Sequence, residues 1–83
     1  MIKFIHIRTG LKGGITIGYK LELTPHFRRV TYAVARCNSK ENYNKKIGRA
    51  VTTGRLHAGH TRVFAVADNN EKIVDIIIRH AGV

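Results

Sequence analysis

The cleanest pattern in this chain lies between residues 15 and 23. Ile15, Ile17, Tyr19, Leu21 and Leu23 alternate there with Thr16, Gly18, Lys20 and Glu22. A period of two puts like side chains on one face of a strand, so this segment predicts a half-buried strand. Residues 2–8 are rich in β-branched and aromatic types and predict a strand before it. Gly10, Gly13 and Gly14 place a turn between the two, which read together as a hairpin. Thr24-Pro25-His26 ends the alternation, because Pro25 has no N–H for a ladder and restrains Thr24. Arg29 to Cys37 predicts a third strand. Val30, Tyr32 and Val34 point one way along it, and Ala33, Ala35 and Cys37 the other. The second set is small, which suits a helix packed close on that side.

The period changes after the third strand. Cys37 to Leu56 reads as an amphipathic helix, with Ser39 as N-cap and Glu41 near its positive end. Tyr43, Ile47, Ala50, Val51 and Gly54 fall on one stripe at helical spacing, expected to face the core. Lys45, Lys46 and Arg49 lie opposite, and Gly54 is expected to end the helix. Gly48, inside it, costs about 1 kcal/mol relative to Ala. Either another segment approaches the backbone there or the helix is locally weak. His57-Ala-Gly-His60 reads as a loop and Arg62 to Ala67 as a fourth strand. Asp68-Asn-Asn-Glu71 reads as a helix start, followed by a core stripe of Ile73, Ile76, Ile77 and Ala81 widened by Val74 and Ile78. The expectation is one α+β domain over residues 1–83, in the order β-β-β-α-β-α. Its sheet is mostly antiparallel, with the helices on one face.

Charge changes the picture more than hydropathy does. The chain carries 15 Lys+Arg against 5 Asp+Glu, a formal net charge of +10. Residues 1–62 hold 13 of those cations and two acids, Glu22 and Glu41. Such asymmetry points to an anionic partner at one end of the molecule, nucleic acid above all. Lys45, Lys46 and Arg49 form the centre of the expected contact, with Arg55, Lys40, Arg28, Arg29 and Lys12 around it. Cations on one helix face contact phosphates without reading much sequence. A host protein with an acidic surface, such as a nucleic-acid-processing enzyme, is the alternative partner, because electrostatic steering serves both.

Other chemistry is poorly supported. The Gly10–Gly14 turn lacks P-loop spacing and leads into a strand, so no nucleotide cofactor is expected, although with Lys12 and Arg8 it can cradle a phosphate. His57 and His60 with Cys37 make only a partial zinc set, and no second cysteine exists. The two histidines lack an oriented carboxylate for acid–base work, so no catalytic residue is assigned. Cys37 reads as a packing residue at a strand end. Phe27 is the better candidate than Tyr43 for exposed base stacking. One cysteine forms no internal disulfide, and no apolar run spans a bilayer, which predicts a cytoplasmic location with no membrane partner. An unpaired sheet edge leaves both monomer and homodimer open.

The stretch Ala35 to Leu56 resembles a segment of small bacteriophage-encoded proteins of unassigned role. The matching positions are Cys37, Tyr43, Lys46, Ile47, Gly48, Arg49, Gly54 and Arg55. The resemblance implies a phage origin and a role on nucleic-acid machinery, either directly or as an inhibitor of a host enzyme. It implies no catalytic residues.

Overall fold

The computed structural model describes residues 1–9, 13–37, 44–67 and 72–82. Four strands form one antiparallel sheet in chain order: β1 (Lys3–Thr9), β2 (Gly13–Leu23), β3 (Phe27–Cys37) and β4 (Arg62–Ala67). Helix α1 (Lys45–Ala58) joins β3 to β4, and α2 (Ile73–Ala81) follows β4. This is the α+β class and the element order that the sequence patterns predict. The turn after β2 is closed by Thr24, whose N–H donates to the Phe27 carbonyl at 2.9 Å while its Oγ1 accepts the Phe27 N–H at 3.0 Å.

The helices do not share a face, which corrects the expected one-sided arrangement. Ile15, Ile17, Tyr19, Val30 and Tyr32 form the main core, and Ile77 of α2 packs among them at 0% exposure. The opposite side of β2 carries Thr16 and Gly18, and those meet Gly48, Thr52 and Leu56 of α1. Each face of the central strands is apolar or small enough to need cover, and two helices supply it separately. Residues 13–19 are therefore buried on both sides, rather than half-buried as their alternation suggests.

The core stripe of α1 also differs from expectation. Gly48, Thr52 and Leu56 are its buried residues, whereas Ile47 is 61% exposed and Ala50, Val51 and Gly54 are exposed too. The reason lies in the strand face beneath. Gly18, Ala33 and Ala35 project little, so the helix descends until its own small residues touch the sheet, leaving Ile47 and Val51 outside. The helix starts at an Asn44 cap, not at Ser39, with Asn44 Oδ1 accepting the N–H of Lys46 at 2.9 Å and of Ile47 at 3.4 Å. It passes through Gly54 and ends at Gly59, whose φ of 79° lets the His60 N–H reach the Arg55 carbonyl at 2.9 Å. Ser39, Glu41 and Tyr43 lie outside the described residues. In α2 the expected stripe holds for Ile73, Ile77 and Ala81, while Val74 is exposed.

Candidate nucleic-acid interface

The position of the basic residues follows from an interlock of two glycines with two threonines. A Cβ on Gly48 would meet the Cβ of Thr16 at 2.8 Å and its hydroxyl closer still. A Cβ on Gly18 would meet Thr52 Oγ1 at 2.7 Å and Thr52 Cβ at 2.9 Å. Thus a strand threonine enters the helix at Gly48, and a helix threonine enters the strand at Gly18. Thr52 satisfies its buried hydroxyl on its own helix, donating to the Gly48 carbonyl at 3.0 Å. Thr16 is fully buried, and its hydroxyl lies 3.1 Å from His6 Nδ1 on β1.

That contact brings β1 into the site. His6 pairs with Thr16 and Phe4 with Gly18, so both project on the α1 side of the sheet, as does Arg8 opposite Gly14. The rings of Phe4 and His6 stack with centroids 6.4 Å apart and planes inclined by 16°. Burial, and after it the charges of Lys45 and Arg49, hold His6 below the ordinary histidine value of 6.5. Lys45 and Arg49, one turn apart, therefore occupy the flank of α1 that looks across to β1. Lys45, Arg49 and Arg8 are exposed on this side of the molecule, with Lys45 and Arg49 near a half-buried His6 that stacks on Phe4.

The remaining predicted contacts are dispersed. Lys46 is exposed but lies farther round α1. Arg55 is on the other flank and donates to the Val34 carbonyl. Arg29 projects on the α1 side at the far end of the β2–β3 hairpin, about 20 Å along the strand from Thr16. There it is paired with Glu22 directly across the ladder. Arg28 is half-buried on the α2 side of the sheet. The expected single patch thus separates, because neighbouring strand residues alternate faces. Lys12 and Lys40 lie outside the described residues.

The histidines have separate roles. His57 is exposed in the last turn of α1, and His60 lies in the connection to β4. His80 packs on Phe64 with ring centroids 4.5 Å apart, and its Nδ1 is 2.7 Å from the Tyr32 hydroxyl. Among the described residues no three metal-ligating side chains gather, and no helix is long and apolar enough to cross a membrane. Phe27 is partly exposed where β3 begins, and Cys37 is half-buried where it ends. The contributions of Phe4 and His6 escape local patterns, since they depend on the pairing of β1 with β2. No protein-family model matches the chain, and neither a curated protein nor a solved structure matches it.

Proposed function

We propose that this chain is a non-enzymatic nucleic-acid-binding module that contacts the phosphate backbone through the β1-facing flank of α1. The observation that carries this reading is the placing of Lys45 and Arg49 near His6, which stacks on Phe4, in a chain of charge +10. Cations give sequence-independent affinity for phosphates, and adjacent aromatic rings give bases a surface on which to stack. Together they favour a single strand over a duplex, whose bases are already stacked.

The test is fluorescence anisotropy with labelled single- and double-stranded DNA and RNA across a salt series. Each phosphate contact to a single strand contributes a slope of about −0.7 in log K against log salt. Lys45→Gln with Arg49→Gln should make the slope shallower by about 1.4. A folded double variant with unchanged affinity and slope would refute the assignment. Capture of a stoichiometric protein from nuclease-treated lysate, with no nucleic-acid binding at physiological salt, would replace it by the protein-partner reading.

A further inference from the structure

A second cationic site lies at the opposite edge of α1. Pairing between β3 and β4 stops at Tyr32 opposite Arg62, so among the described residues no strand pairs with the outer edge of β3 beyond that point. A cleft of about 470 Å³ occupies the gap. Its walls are Ala33 and Arg36 of β3, His60 and Thr61 of the connection, Arg62 of β4 and Ala81 of α2. That volume is within the range of small-ligand sites, about 300–1,000 Å³.

We propose that this cleft binds a phosphomonoester group. Among the described residues two guanidiniums line it and no carboxylate does. Among the described acids, Glu22 is engaged with Arg29, and Asp75 is in the first turn of α2, away from Ala81. The opposing terms are the C-terminal ends of α1 and α2, which both reach the cleft and carry about −0.5 charge each. Arg36 and Arg62 exceed that sum, leaving the site positive. Arg55 removes a further repulsive group by donating to the Val34 carbonyl at the cleft wall.

The chemistry selects the phosphate rather than an attached base. Tyr32 reaches the lining but is 2% exposed with its hydroxyl engaged by His80, so it offers no ring face. The Gly59 and His60 N–H groups are used in capping α1, so Arg36 and Arg62 are the charged donors left to hold the anion. Arginine forks match phosphate oxygens in pairs, and a monoester carries about −1.5 to −2 at pH 7, matching two guanidiniums. A 5′-phosphate at the end of a nucleic acid and a free phosphorylated metabolite present the same group.

The experiment is ¹H–¹⁵N NMR of the full chain titrated with inorganic phosphate, then with 5′-phosphorylated and 5′-hydroxyl oligonucleotides of one sequence. Saturable shifts confined to Arg36, Gly59, His60, Thr61 and Arg62 are expected. Arg36→Gln with Arg62→Gln should abolish them, and Lys45→Gln with Arg49→Gln should leave them in place. Arg62→Lys, which keeps the charge but loses the fork, should weaken binding about tenfold and serves if the double variant does not fold. A phosphorylated oligonucleotide preferred at least about tenfold, the scale of one charge-assisted hydrogen bond, assigns the site to strand termini. Phosphate binding without that preference assigns it to a small phosphorylated molecule. No saturable shift with phosphate, or shifts spread equally over α1, would overturn the proposal whether or not the α1–β1 strip binds nucleic acid.

Discussion

Two glycines in α1 should respond to the same substitution with opposite sign. Gly54 is exposed, and a methyl group there would meet nothing within 4 Å. Gly54→Ala should therefore realise the helix-propensity gain of about 1 kcal/mol. Gly48 would gain the same propensity, but its methyl would lie 2.8 Å from Thr16 Cβ. Restoring an ordinary contact of 3.4 Å at that atom alone moves α1 from the sheet by about 0.6 Å, and the Thr16 hydroxyl demands more. Thr16 cannot swing aside, because it is β-branched, fully buried and engaged with His6. Overpacking of this kind costs up to about 3 kcal/mol, leaving a net loss near 2 kcal/mol after the propensity gain. For a domain of this size 1 kcal/mol moves Tm by about 4–8 °C. Thermal melts should thus place Gly54→Ala about 4–8 °C above the parent and Gly48→Ala about 8–16 °C below it. Adding Thr16→Ala to Gly48→Ala removes the hydroxyl clash and keeps the Cβ contact, so it should restore part of the loss relative to additive behaviour. A Gly48→Ala protein as stable as Gly54→Ala would show that the helix does not touch the strand, and the placement of Lys45 and Arg49 would fail with it.

The other expectations concern His6 and the helix cap. His6 is held below its unfolded value of 6.5 by burial, Lys45 and Arg49, so it binds a proton more weakly when folded. Its contribution is complete above pH 6.5 and declines as the pH falls from there through the folded value. His6→Gln should lessen the acid-side loss of Tm between pH 7.5 and 5, and parallel curves for variant and parent would contradict the assignment. Asn44→Ala should lower stability by about 1 kcal/mol and Asn44→Gly by only a few tenths, measured by urea midpoints. Equal midpoints for all three proteins would mean that the cap bonds contribute nothing in solution.

The legible parts of this fold were those governed by local spacing. Alternation along β2 and the large and small faces of β3 are visible in the chain because strand side chains repeat every two residues. The small face of Ala33 and Ala35 also anticipated a closely packed helix. What it did not reveal was which side of that helix would descend. Ile47 and Val51 form the most apolar stripe, yet the contact is made by Gly48 and Thr52, since a shallow strand surface selects small partners. The same effect concealed the second covered face, because Thr16 reads as polar until its neighbour across the gap is known. In the site, Lys45 and Arg49 were evident from helical spacing. Phe4 and His6 were not, being about forty residues away in sequence. Arg28 and Arg29 looked like one patch and instead project from opposite faces.

The reciprocal fit of Gly48 with Thr16 and Thr52 with Gly18 also limits how this surface can diverge among descendants of the chain. A larger residue on one side is accommodated only where its opposite becomes smaller, so substitutions should be accepted as exchanged pairs rather than singly. Because the two pairs are oriented oppositely, swapping both conserves the total volume and tilts the helix little. A library that varies positions 16, 18, 48 and 52 together should therefore recover folded sequences along a narrow diagonal of constant summed size, with the basic strip carried unchanged on each.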